Sequence, residues 1–217
     1  MQRWIVVPTP EDAARVAADL IAATVTSSVA ERGRCSLAVS GGTGPLRMFA
    51  ELGARPLPWA QVEVFQVDER IAPAGDPARN LIPQAEAIPD EATLRAMPVE
   101  DDDLEAAAAR YAASLPEALD LVQLGVGDDG HTASLVPGDG VLEVVDRGVA
   151  LTEVYRGHRR MTMTYPVLDA ARSVLWLATG EAKREPMARL RAGDLSIPAG
   201  RVRTPDQIVV CDAAAAG

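Results

Sequence analysis

The stretch Arg34–Leu52, RCSLAVSGGTGPLRMFAEL, decides the fold. Its apolar run from Cys35 to Val39 reads as a short buried strand, Ser40-Gly41-Gly42-Thr43-Gly44 as a tight turn, and the residues from Pro45 onward as a helix, because proline suits a first helical turn. A strand that passes through a glycine turn into a helix is the opening half of a crossover between parallel strands. The turn also gathers backbone N–H groups at the positive end of the helix. That is an anion cradle, and phosphate is its usual occupant. The spacing is neither the Walker pattern nor G-x-G-x-x-G, so nucleotide binding is not indicated. An ordinary glycine turn is the other reading of the same residues.

Upstream, EDAARVAADLIAATVTSSVAERG sets Ala13, Val16, Ala17 and Leu20 on one helical side and stops at Gly33. Downstream, QVEVFQVDER (61–70) reads as one strand, followed by the Pro- and Gly-rich loop IAPAGDPARN (71–80). A helix is expected over roughly 101–115 and a strand over ALDLVQLGV (118–126). After an irregular stretch come MTMTYPVL (161–168), the strand SVLWLATG (173–180), the helix EAKREPMARLRAG (181–193) and the strand QIVVC (207–211). Strands alternate with helices throughout. This predicts an α/β fold over 1–217 as a single domain, with a Rossmann-like, mainly parallel sheet and helices on both faces. Ligands of such sheets bind outside the carboxyl ends of the strands. Those ends are SGGTG, DER, GDDGHTAS and TGEAK.

Composition narrows the partners. There are 21 Lys and Arg against 31 Asp and Glu, a formal net charge of −10, and no basic block to serve as a footprint for nucleic acid. Apolar residues make up 48% of the chain, enough for a sizeable core. The stretch MQRWIVVPTPEDAARV (1–16) has no long apolar region or small-residue cleavage site, and the apolar segments read as shorter than the ~20 residues of a membrane span. The expectation is a soluble, cytoplasmic protein, monomeric or a small homo-oligomer. Cys35 and Cys211 sit in strand-like segments as reduced, buried thiols, and no second Cys or His stands at metal-ligand spacing from either. No metal and no organic cofactor are expected.

The chemistry collects at the strand ends. In GVGDDGHTAS (125–134) a strand delivers Asp128, Asp129 and His131 among glycines that let the backbone turn tightly. An imidazole is a side chain suited to proton transfer, and a neighbouring carboxylate can fix its tautomer. A turn with a hydrogen-bonded surface histidine fits the same residues. In Asp68-Glu69-Arg70, the arginine either meets an anion or pairs with Glu69 at the surface. Arg160, in HRRMT, and Lys183 add cations to an acidic chain, as site residues or as solvated surface.

Taken together and in this order, SGGTGP, VDERIAP followed by D-x-x-x-N (Asp76 to Asn80), GVGDDGHTASLVPG, RMTMT and TGEAK closely resemble the 6-phosphogluconolactonases, over nearly the whole chain. That family shares its Rossmann-like fold with glucosamine-6-phosphate deaminases and ribose-5-phosphate isomerases. The resemblance implies a phosphorylated sugar lactone as substrate and its hydrolysis to 6-phosphogluconate. It implies His131 as general base on water, with Asp129 orienting the imidazole or holding a substrate hydroxyl. It implies phosphate on the Ser40-Gly41-Gly42-Thr43 loop with Arg160, Lys183 and Arg70, and sugar hydroxyls at Asp68 and Asn80. The deaminases carry a carboxylate shortly before the proline that follows their histidine turn. Here Val136 occupies that place, and an aliphatic side chain cannot exchange protons. A sugar-phosphate sensor without chemistry is the further alternative. The chain departs from the lactonase pattern in having SGGTGP where SGGSTP is usual, and Arg79 where serine commonly precedes the asparagine.

Overall fold

A computed structural model describes residues 2–217. Its elements, in chain order, are β1 (Gln2–Val7), α1 (Pro10–Arg32), β2 (Cys35–Val39), α2 (Thr43–Gly53), β3 (Val62–Gln66), β4 (Asp68–Arg70), α3 (Leu81–Ala87), β5 (Thr93–Arg95) and α4 (Leu104–Ser114). There follow β6 (Leu121–Leu124), β7 (Val149–Leu151), β8 (Arg160–Met163), α5 (Tyr165–Ala170), β9 (Val174–Ala178), α6 (Arg184–Arg191), β10 (Gln207–Asp212) and α7 (Ala213–Ala216). Seven strands form a parallel sheet in the order β1-β10-β9-β6-β2-β3-β5, and β4, β8 and β7 form a small antiparallel sheet. The expected mainly parallel α/β sheet, covered on both faces, is therefore the architecture.

Successive strand residues point to opposite faces, which is why the central strands are apolar without a break. Leu37, Val39, Leu175, Leu177 and Val210 pack with α1 and α2, while Ala38, Val122, Leu124, Trp176 and Val209 pack on the other side with α4, α5 and α6. The first helix is capped at both ends. The Thr9 side chain accepts from the Asp12 amide, Pro10 opens the helix, and Gly33 closes it in the left-handed region. Its buried stripe is Ala13, Ala14, Ala17, Ala18, Ile21 and Val25, with Val16 and Leu20 only partly buried at its margin. Small alanines let the helix lie close on the sheet, so the larger side chains flank the contact. With 23 residues, α1 is long and apolar enough by composition to cross a membrane, longer than the sequence reading allowed. Here that apolar stripe lies in the protein core.

The segment 61–70 is two strands, not the one expected. Val67 is the switch: its N–H donates to Val39 O in β2 and its carbonyl accepts from Met163 N in β8. The chain thus leaves the parallel sheet, and Asp68, Glu69 and Arg70 pair across from Thr162, Met161 and Arg160. Elements at β1, α3, β5, β7 and α7 are additions to the outline drawn from sequence. Cys35 and Cys211 are free and buried, as expected.

Strand β2 is followed through α2 by β3 on one side, whereas β6 is followed in the sheet by β9 on the other. The carboxyl ends of the neighbours β2 and β6 therefore frame the crevice at which the order reverses, where ligands of open α/β sheets bind.

Candidate active site

A cleft of about 310 Å³ opens at this reversal point, lined by residues of all four strand-end segments, Gly41, Asp68, Arg70, His131 and Lys183 among them. On its β2 side is the N-terminus of α2. Gly42 precedes the helix at φ 110° and no side chain caps it, so the Thr43 and Gly44 amides of the first turn have no capping partner. Thr43 is exposed and lines the cleft, as do Gly41 and Gly42. Ser40 faces it too, but its hydroxyl donates to Gln123 O and its amide to Gln123 Oε1. Ser40 thus ties the ends of β2 and β6 together and has no proton left for a ligand.

On the β6 side the loop Gly127–His131 closes on itself, with Gly127 N donating to His131 O and Gly130 N to Gly127 O. The His131 ring lies over this backbone: a Cβ at Gly127 would stand 2.0 Å from Nδ1. Gly127→Ala is therefore expected to push the imidazole out of place, read as a changed His131 ring signal by NMR, with the fold retained by circular dichroism. Asp129 Oδ1 lies 2.6 Å from His131 Nδ1 and accepts from the His131 amide, while Oδ2 accepts from the Tyr155 hydroxyl at 2.8 Å. Burial alone would raise the Asp129 carboxyl. The bonds from Tyr155 and from the His131 amide and ring outweigh it and hold the pKa down at about 2. An ionised carboxylate can only accept, so Nδ1 is the donor in this contact, which in a neutral ring leaves the lone pair on Nε2. Among the described residues Nε2 makes no hydrogen bond, and His131 lines the cleft.

The cations converge on the same space. Arg70 and Arg160 stand directly opposite each other in the β4–β8 pair, an arrangement that like charges disfavour unless an anion lies between them. Neither makes an ion pair among the described residues, and the Nε of each is buried without an acceptor. Arg160 is only 6% exposed, and burial draws its pKa below the ordinary arginine value. The basic run read from sequence is thus divided: Arg160 points inward, while Arg159 is exposed. Lys183 reaches the cleft but is paired with Asp128 at 2.5 Å. The surface pair Arg70–Glu69 does not form. The Arg70 guanidinium donates to Ala78 O and Asn80 Oδ1, and Glu69 is fully buried beneath it.

Asp68 and Asn80 both line the cleft, largely occupied by each other and by neighbours. Asn80 Nδ2 donates to Asp68 O and Oδ1, Ser134 Oγ donates to Asp68 Oδ2 at 2.5 Å, and Arg160 Nη1 donates to Ser134 Oγ at 3.3 Å. A Cβ at Gly41 would strike the Asn80 amide at 2.1 Å, so that glycine keeps room for it. Tyr155 and Arg156, also at the cleft, were not singled out from sequence. They lie 26 and 27 residues after Asp129 in an irregular stretch, and no local pattern ties them to it. Among the described residues no cluster of three or more His, Cys, Asp or Glu side chains has the arrangement of a metal site.

Residues 8–211 match the family model described as glucosamine-6-phosphate isomerases/6-phosphogluconolactonase. A 6-phosphogluconolactonase of Nostoc sp. is 34% identical over 218 residues, covering 92% of this chain and 90% of that protein. The crystal structure of a 6-phosphogluconolactonase from Shewanella baltica superposes with a TM-score of 0.90 at 26% identity, covering 98% of each chain. A monomeric glucosamine-6-phosphate deaminase superposes with a TM-score of 0.85 at 19% identity over 99% of this chain and 98% of its own. The fold alone therefore does not separate lactone hydrolysis from deamination.

Proposed function

Because the chain belongs to the glucosamine-6-phosphate isomerase/6-phosphogluconolactonase family, we propose that it hydrolyses 6-phospho-D-glucono-1,5-lactone to 6-phospho-D-gluconate, with His131 as general base. The observation that carries this reading is the His131 ring, held through Nδ1 by an ionised Asp129 in a cleft that also presents unpaired guanidinium groups and a helix N-terminus. Nε2 takes a proton from water as the oxygen adds to C1. The tetrahedral intermediate then collapses, the bond from C1 to the ring oxygen breaks, and that oxygen leaves with the proton returned by His131. A lactone is an activated ester, so one base and a positioned water suffice. At the place where a deaminase carries its carboxylate, Val136 is buried and aliphatic, which favours hydrolysis over deamination.

The 6-phosphate sits in this account on the first turn of α2, with Arg160, Arg70 and Lys183 as counter-charges and Asp68 and Asn80 toward the sugar hydroxyls. The reaction draws on no metal and no organic cofactor, and chelation is expected to leave the rate unchanged. The test of substrate class is by charge. Arg160→Gln should raise KM for the phosphorylated lactone by about ten- to a hundredfold, the loss of roughly 1.5–3 kcal/mol for one charge-assisted hydrogen bond, and should hardly change hydrolysis of unphosphorylated gluconolactone. Lys183→Gln should fall at the lower end, since Asp128 already neutralises that ammonium. Equal effects on both lactones would move the phosphate away from these cations.

A further inference from the structure

We propose that Tyr155 is a positioning residue of the reaction: its hydroxyl anchors Asp129 and, through Asp129, keeps the His131 imidazole in the tautomer whose Nε2 accepts the proton of water. The inference rests on the lactonase reading above and deepens it from a carboxylate–imidazole pair to a three-member chain of hydrogen bonds.

Asp129 stands on a turn with its side chain 36% exposed, and its two oxygens have separate duties. Oδ1 serves His131, through both ring and amide, and Oδ2 takes the Tyr155 hydroxyl. Without the second bond the carboxylate is held at one oxygen only, about a last torsion that is intrinsically broad. The imidazole would then lose its acceptor for part of the time. The Tyr155 ring also meets the His131 ring edge-on, with centroids 5.5 Å apart and planes at 69°, and so limits its swing from one side. Burial, then the bond to Asp129, pushes the Tyr155 phenol above its ordinary pKa, so it is a donor throughout the neutral range.

Tyr155 is itself held by an unusual piece of backbone. Residues Tyr155 and His158 exchange hydrogen bonds of 2.9 and 3.3 Å around the two-residue turn Arg156–Gly157, in which both central φ angles are positive, 49° and 87°. This is the twist-matched hairpin turn, but a glycine or asparagine is the usual first residue. Arginine at that φ is disfavoured and persists where the surroundings hold it. The guanidinium groups of Arg156 and Arg160 each lie 5.1 Å from the Tyr155 ring centroid, and Arg160 is one of the cations of the cleft. The hairpin backbone and the two guanidinium groups therefore hold the ring whose hydroxyl meets Asp129.

Tyr155→Phe isolates the claim, because it keeps the ring contacts and removes only the hydroxyl. The variant should melt at the wild-type temperature, keep KM within about twofold and lose roughly three- to tenfold in kcat, the range for one hydrogen bond. A second readout needs no substrate. The chain has only two histidines, so the ¹⁵N imidazole spectrum contains two rings, and a His158→Asn variant assigns them. The His131 ring should be Nδ1-protonated in the wild type and should show a growing Nε2-protonated fraction in Tyr155→Phe. An unchanged His131 spectrum overturns the proposal, whatever happens to kcat, and so does a loss confined to KM. A wild type that shows the Nδ1-protonated ring, altered in the variant, but that does not hydrolyse the lactone, would instead sink the functional reading and leave the hydrogen-bond chain standing.

Discussion

Replacing His131 by alanine is expected to lower enzyme-dependent lactone hydrolysis by about 10²- to 10⁴-fold, the usual contribution of a positioned general base, while 6-phosphogluconate still binds. The two effects separate because the ring acts on water, whereas the phosphate is assigned to the first turn of α2 and to Arg160, Arg70 and Lys183. The loss should appear in kcat and leave KM nearly unchanged. Asp129, held at about 2, stays ionised at every pH at which the protein would be assayed. A fall in rate on acidification between pH 8 and 5 therefore does not come from this carboxylate. His158→Ala is the control: this histidine sits beside Tyr155 in an adjoining part of the cleft, and only its backbone is engaged in the hairpin. A rate in His131→Ala close to that of the wild type at pH 7, or an equal loss at His158, would assign the chemistry to the wrong ring.

The second large effect is expected at Glu69, a carboxylate with no solvent exposure. It accepts from the amides of Arg70, Asn80 and Leu81 at 2.7–2.8 Å and from Gln66 Nε2 at 3.0 Å, and it pairs with Arg79 Nε at 3.3 Å. Arg70 ends β4, and the Asn80 and Leu81 amides stand at the start of α3, where a helix has no carbonyl of its own for them; Glu69 supplies the acceptor for all three. Glu69→Ala leaves three amides and a 3% exposed guanidinium facing an empty space. The loss should be about 3–5 kcal/mol, the range for breaking a buried ion pair, or roughly 6–20 °C in melting temperature for a chain of this size. Activity should fall with it, because Asn80, which orients Arg70, is hung on the same carboxylate. Glu69→Gln, which keeps one accepting oxygen, should lose less. A melting temperature within 2 °C of wild type for Glu69→Ala would show that water replaces the carboxylate.

Why Glu69 escapes a sequence reading while His131 does not is a matter of range. The GDDGHTAS turn is closed by bonds between residues two to four apart, so glycines, carboxylate and histidine lie side by side in the sequence as they do in the cleft. The strand–glycine–helix unit at Arg34–Leu52 is local in the same way, and from it the parallel sheet and the α2 cradle could both be drawn. Glu69 looks like half of a surface ion pair because its neighbour is Arg70. Its burial is imposed by residues 10 to 12 positions on, which fold back over it. Arg79 is held by the same carboxylate and by Glu100. Tyr155 is more distant still. Strands β5 and β7 have three residues each, too few for periodicity to register, and β1 is an edge strand added to the sheet only through β10. The break of 61–70 into two strands was hidden because Val67, apolar and β-branched, suits either sheet.

Since a deaminase and a lactonase share this fold, the decisive measurement gives one preparation of the purified chain two substrates in parallel. Opening of freshly generated 6-phosphogluconolactone is followed against its spontaneous rate, and ammonia release is followed from glucosamine 6-phosphate. The result expected is lactone opening well above the spontaneous rate, proportional to protein and absent in His131→Ala, with no ammonia. Ammonia release, or lactone opening no faster than in buffer, would contradict the account.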